Sequence, residues 1–255
     1  MRLPGVCRSG NRDSQVGPAC IHMTIVARPL QSTCRPSVVV GELQDVHGFG
    51  RWRVAEDAVT ELTRRTQHLD VGVMVASAGI VTSGPFLAQP LAAESALLHL
   101  DLVVPMQLTH VYGRRFVARR RGALILLSSS AAFAAVPYSA NYAAAKAYLA
   151  SLGQALHYEL HGTGVDVLTV APGPTRTEGI ENAEGIDFSR MPLPLMAPER
   201  VVRTALRRLG RTPLVIPGRI NRLNDLIGRH LMPRRLQTAL FGALVGRALD
   251  EKPTR

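Results

Sequence analysis

The sequence predicts an α/β domain in which a doubly wound parallel sheet is covered by helices on both faces, in three layers, α/β/α. Three observations carry this. From about residue 56 onward, short apolar runs alternate with amphipathic helical stretches. The runs are continuous and rich in β-branched residues, as strands buried on both faces are. A chain of 255 residues also suffices for one such core.

Residues 71–75 read as a buried strand, 92–119 as a long helix, and 123–127 as the next strand, ending in Ser128, Ser129 and Ser130. A second long helix follows over 143–161. The β-branched run 165–170 is another strand, closed by Ala171-Pro172-Gly173-Pro174, which must leave the sheet as a loop. Ligands of open α/β sheets bind beyond the carboxyl ends of the strands, so the loops after 75, 127 and 170 converge on one crevice. The first 55 residues scatter Gly, Pro, Cys and Arg, with helical periodicity only near 38–47. Residues 1–55, 56–218 and 219–255 therefore divide the chain into an irregular start, a core and a basic helical extension.

Hydrophobic residues make up 46% of the chain, which excludes a disordered polymer. No uninterrupted apolar run reaches the ~20 residues that span a bilayer. Cys7, Cys20 and Cys34 are odd in number and lack C-x-x-C spacing, which argues against a disulfide framework or a zinc ribbon and suits a reducing cytoplasm. Arg2, Arg8 and Arg12 precede no apolar segment, so no secretory signal is expected. Net charge is +11, and from residue 199 onward 13 Arg or Lys stand against 4 acids. With 5% aromatics and no nucleic-acid motif, that patch suits anionic lipid, a phosphorylated ligand or plain solvation better than nucleic acid. Leu236, Leu240, Leu244 and Ala248 form a helical stripe flanked by Arg234, Arg235 and Arg247. Such a stripe fits a peripheral membrane contact, a partner subunit, or packing onto its own domain.

Chemistry concentrates at Tyr142 and Lys146, four apart in Asn141-Tyr142-Ala143-Ala144-Ala145-Lys146, and so on one face of a helix. A phenol, with a reference pKa near ~10, is a poor proton donor or acceptor at neutral pH, and an adjacent ammonium favours its phenolate. The side chain can then exchange a proton with an alcohol or carbonyl. The bland reading is a tyrosine packed by a lysine stem. It is weak here because the chain holds only two lysines, Lys146 and Lys252, beside 28 arginines. Ser129, 13 residues before Tyr142 at a strand end, is placed to hydrogen-bond a substrate oxygen, with Ser128 and Ser130 as alternatives for that role.

Ser129, the Tyr142/Lys146 pair, Ala76-Ser77-Ala78-Gly79 after a strand, and Pro172-Gly173-Pro174-Thr175-Arg176-Thr177 together resemble the short-chain dehydrogenase/reductase family over about residues 56–218. The resemblance implies a Rossmann-like fold whose first 55 residues are a divergent piece of the dinucleotide-binding half. It implies reversible hydride transfer between NADP(H), or NAD(H), and a secondary alcohol or ketone of apolar character. Tyr142 would be the acid/base, Lys146 its activator and ribose ligand, and Ser129 the group orienting the carbonyl. Ala78 and Gly79, from the family's N-N-A-G motif, would line the cofactor, as would Pro172 and Gly173, with Thr177 at the nicotinamide carboxamide. Arg28, in Met23-Thr24-Ile25-Val26-Ala27-Arg28, aligns with the end of the family's second strand, where a basic residue favours a 2′-phosphate. A homodimer or homotetramer is the implied assembly.

The sequence departs from the family twice. The Asn that holds a water beside the catalytic lysine aligns with Asp101, whose charge would raise the pKa of Lys146. The phosphate-binding T-G-x-x-x-G-x-G is absent, and Gly5-Val6-Cys7-Arg8-Ser9-Gly10-Asn11-Arg12 stands where it belongs. A protein that kept the fold but lost dinucleotide binding, and serves as a binding or oligomerising partner, is the alternative. Two weaker features remain. His157 and His161 have helical metal-ligand spacing but no third ligand, so a solvated helix face is expected and no metal site. The apolar segment 178–197 has the character of a substrate lid, or of an ordinary mobile loop.

Overall fold

The computed structural model describes residues 21–29, 37–43, 53–177, 180, 185–191 and 195–249. The cysteines and the segment aligned with the phosphate loop lie outside them. Strands β1 (Ile21–Pro29) and β2 (Ser37–Leu43) are followed by α1 (Arg53–Thr66), β3 (Leu69–Ala76) and α2 (Leu91–Leu98). A π-helical turn, His99–Val103, leads into α3 (Val104–Ala118) and β4 (Gly122–Leu127). Then come α4 (Ala140–Glu159), β5 (Val165–Val170), α5 (Pro198–Arg208), β6 (Leu214–Val215), α6 (Arg219–His230) and α7 (Arg234–Ala248).

The sheet order is β2-β1-β3-β4-β5-β6. Strands β3 to β6 are parallel, the doubly wound core that the alternation of runs predicts. The continuous apolar run of β4 divides between two layers. Leu124 and Leu126 pack with Val104, Leu108, Tyr112 and Phe116 of α3. Ile125 packs on the other side with Val201 and Ala205 of α5. Fully buried strands need that double supply of side chains.

Two expectations for the start are corrected. Residues 37–43 form a strand rather than a helix: Val38-Val39-Val40 is β-branched and stiff at χ1, and that propensity outweighs a weak helical period. A strand does form at Met23-Thr24-Ile25-Val26, but β1 lies directly beside β3 and antiparallel to it, with Met23 opposite Ala76 and Pro29 opposite Leu69.

Burial also explains two long helical stretches. The run Leu91–Ala118 is long and apolar enough to cross a bilayer by length and composition. Yet Leu97 is fully buried, and Leu108, Tyr112 and Phe116 are buried against the sheet, as in a core helix. In α7, Val245 and Ala248 are buried with Val136 and Ala143, whereas Leu236 and Leu240 stay exposed. Of the predicted stripe only Ala248 is buried, Leu244 is half-buried, and Leu236 and Leu240 face outward.

Candidate active site

The carboxyl ends of β3, β4 and β5 open on one edge, because the three strands are parallel and in register from Val73, Ala123 and Asp166 onward. Ser128 amide donates to the Val170 carbonyl (2.8 Å) and Ser130 amide to Pro172 (2.8 Å), which ties the β4 loop to the β5 loop. Helix α4 starts after the 3-10 turn Ser130–Phe133 and packs against it. Its first turn is held by Asn141, whose amide donates to the buried Glu94 carboxylate at 2.7 Å. Nothing in the sequence singles out Glu94, beyond its being an acid within an apolar helix.

Lys146 lies at the centre. Its ammonium is 2.9 Å from Asp101 Oδ2, donates at 3.4 Å to the Leu127 carbonyl, and lies 5.5 Å from the Tyr142 ring centroid. Both partners of the ion pair are inaccessible, with side chains 6% and 0% exposed. Asp101 is carried by the π-helical turn between α2 and α3, an irregularity that is common at functional sites. Its second oxygen accepts from the Ile80 amide at 2.8 Å. Burial pushes the Asp101 carboxyl up, against the pull of Lys146. Burial also works against the Lys146 charge, but Asp101 and Tyr142 outweigh it, and the Lys146 pKa rises above the ordinary lysine value. The ammonium therefore keeps its proton and is shared with a carboxylate.

Gly79 closes this cluster from above. A Cβ there would lie 2.9 Å from Asp101 Oδ2 and 3.0 Å from Lys146 Nζ, so only glycine lets the β3 loop come this near. Of the three serines, Ser128 is buried and donates its hydroxyl to the Lys146 carbonyl at 2.7 Å, which commits it to holding α4. Ser129 is half-buried and accepts from the Ala131 amide at 3.2 Å, which leaves its own proton available to donate. Tyr142 is half-buried, and its hydroxyl makes no hydrogen bond among the described residues. The cluster thus presents one hydroxyl donor and one unengaged phenol, with a buried ammonium behind the phenol.

Other predicted residues fall around it. Pro172, Gly173 and Thr177 lie on the loop after β5. A Cβ on Gly173 would meet the Asn221 amide at 2.6 Å, so α6 covers this loop closely. Ala78 precedes Gly79 on the β3 loop. Arg28 is not brought to the site. It pairs in register with Asp70, six residues before Ala76, or roughly 20 Å along the strand from the crevice. The antiparallel course of β1 carries Arg28 to the opposite edge, so the alignment with a parallel second strand does not hold. His157 donates from Nδ1 to the Val167 carbonyl at 2.9 Å, a structural bond. Within 178–197, Ile186, Phe188 and Met191 pack with Val136, Ala143 and Val245 beside the start of α4.

Comparisons with known proteins bear on the family and the fold. A family model described as short chain dehydrogenase matches residues 48–185. The 7beta-hydroxysteroid dehydrogenase of Collinsella aerofaciens is 29% identical over 193 residues, 73% of each chain. The chain spans 63% to 73% of the length of the bacterial 7beta-hydroxysteroid dehydrogenases it matches. A solved 7beta-hydroxysteroid dehydrogenase superposes with a TM-score of 0.65 at 26% identity, covering 72% of each chain. A short-chain dehydrogenase from Sphingobium yanoikuyae in complex with NADPH gives 0.58 at 28% identity, covering 71% of this chain and 70% of that one.

Proposed function

The chain belongs to the short-chain dehydrogenase/reductase family, and from that premise we propose that it transfers hydride between a nicotinamide cofactor, NADPH by preference, and an apolar secondary alcohol or ketone. The observation that supports this most is the buried Asp101–Lys146 pair beside the half-buried Tyr142 and the exposed Gly79 at the carboxyl edge of the sheet. The residues present suit the nicotinamide half of such a cofactor: Gly79 is exposed and has no side chain to block a planar ring, and the Lys146 charge lies beside Tyr142. When bound, the cofactor supplies or accepts the hydride.

The chain's own residues do the rest. Ser129 donates its hydroxyl proton to the substrate oxygen and orients the carbonyl. Tyr142 gives its proton to that oxygen on reduction and recovers one on oxidation. Lys146 holds positive charge beside the phenol, and Asp101 fixes where that charge lies. Ile186, Phe188 and Met191 exclude water on the substrate side and suit an apolar ligand such as a steroid or an acyl chain. The hydroxysteroid relatives favour the steroid class.

A second reading is favoured by one observation, the absent glycine loop. In it the fold persists without dinucleotide binding and serves as a binding or oligomerising partner. Screening steroid and acyl ketones with millimolar NADPH, alongside a direct cofactor titration, separates the two. Turnover supports the reductase. Absence of both turnover and cofactor binding supports the partner.

A further inference from the structure

Helices α6 and α7 carry a surface that the reaction does not use. Helix α6 has no buried residue along its 12 positions. Ile220, Leu223, Leu226, Leu231, Leu236 and Leu240 are each more than half exposed, and Leu231, at the turn between the helices, reaches 75%. Helical spacing puts Ile220 and Leu223 on one side of α6, and Leu236 and Leu240 on one side of α7. The C-terminal half of α7 is anchored by Val245 and Ala248, so its first half and α6 project as a pair. Six solvent-facing aliphatic side chains in about 20 residues exceed what scattered surface apolarity explains.

The charges select the occupant. Arg219, Arg222, Arg234 and Arg235 are exposed and have no carboxylate partner among the described residues. Asp225 is the one acid described in this region, and Arg229 already holds it at 2.6 Å while lying over the Phe133 ring. Arg234 and Arg235 also line a groove of about 530 Å³ with Pro137, Tyr138 and Gly242. A second copy seated symmetrically on this face would set arginine against arginine, with no acid but the already paired Asp225 among the described residues there to answer them. Anionic headgroups over an apolar layer meet both demands at once.

We infer that α6 and the first half of α7 rest on an anionic membrane surface, with the leucines in the acyl boundary and the arginines among the headgroups. The attachment is peripheral and independent of the catalytic cluster. It would present the domain to substrates that partition into lipid, and it survives even if the reductase reading fails.

Vesicle co-sedimentation of the full chain tests it. Vesicles of phosphatidylcholine with phosphatidylglycerol should bind the chain, and phosphatidylcholine alone should not. Each arginine near an anionic surface contributes roughly fivefold, so Arg222→Ala with Arg234→Ala and Arg235→Ala should weaken binding roughly 100-fold, and added salt should act in the same direction. Leu223→Gln with Leu236→Gln should weaken it at least ~10-fold with an unchanged melting temperature, because both side chains are solvent-exposed. No binding to anionic vesicles at low salt overturns the inference. So does a leucine variant that binds as well as wild type, which leaves only nonspecific charge attraction. A wild-type dimer that the leucine variant turns into a monomer, without lipid binding, assigns the face to a second copy instead.

Discussion

Replacing Asp101 by Asn removes one charge from a pair whose atoms are 2.9 Å apart and whose side chains are almost wholly buried. Losing one partner of a buried pair leaves the other uncompensated, at a cost of about 3–5 kcal/mol. Asn keeps the acceptor that the Ile80 amide uses, so the lower end, about 3 kcal/mol, is expected. For a chain of this size that lowers the melting temperature by roughly 6–12 °C. The pH dependence has a definite sign. Burial alone lowers Lys146, and the carboxylate reverses this, so the Lys146 pKa is raised in the folded chain. Its contribution is fully present below the ordinary lysine value near ~10.4 and is lost as pH rises through the raised folded value. The gap between wild type and Asp101→Asn should therefore be open through neutral pH and close on both sides, in strong alkali as Lys146 loses its proton and in acid as Asp101 gains one. Circular-dichroism melting across that range measures it. A shift under about 1 °C at pH 7, or a gap that widens in alkali, would refute the reasoning.

Gly79→Ala should cost about 1–3 kcal/mol in denaturant unfolding, because its Cβ would press on Asp101 Oδ2 and Lys146 Nζ; an unchanged midpoint would mean that the loop has slack. Ser128→Ala deletes a buried hydroxyl that donates to the Lys146 carbonyl, and should cost about 0.5–1.5 kcal/mol while leaving any turnover detectable. Loss of all activity would reassign Ser128 to the chemistry. The sequence lacks the family's T-G-x-x-x-G-x-G; if no other segment replaces its two or more charge-assisted bonds to the pyrophosphate, NADPH should bind about two orders of magnitude more weakly than to a family member that has the loop. Parallel calorimetric titrations decide this, and low-micromolar binding would contradict it.

The sequence was most legible where one physical demand dominated. Buried parallel strands must be apolar on both faces, so 71–75, 123–127 and 165–170 declared themselves, and β5 matches its predicted bounds. Tyr142 and Lys146 were legible because lysine is so rare here that their spacing carried information. Asp101 stood out only through comparison with a family pattern, and its grip on Lys146 needed the π-helical turn that no periodicity reveals. Strand direction was illegible: β1 has the composition of an inner strand, but its antiparallel pairing with β3 removes Arg28 from the site. The choice among Ser128, Ser129 and Ser130 also needed coordinates, since burial and a bond to Lys146 separate residues that the sequence treats alike.

The proposed reaction assigns the proton that accompanies hydride transfer to Tyr142. Its most direct measurement compares wild type with Tyr142→Phe on one ketone substrate, following NADPH absorbance at saturating cofactor. The substitution removes one hydroxyl that has no partner among the described residues, so melting should be unchanged while turnover falls by at least ~100-fold. Equal turnover by the two proteins would contradict the account.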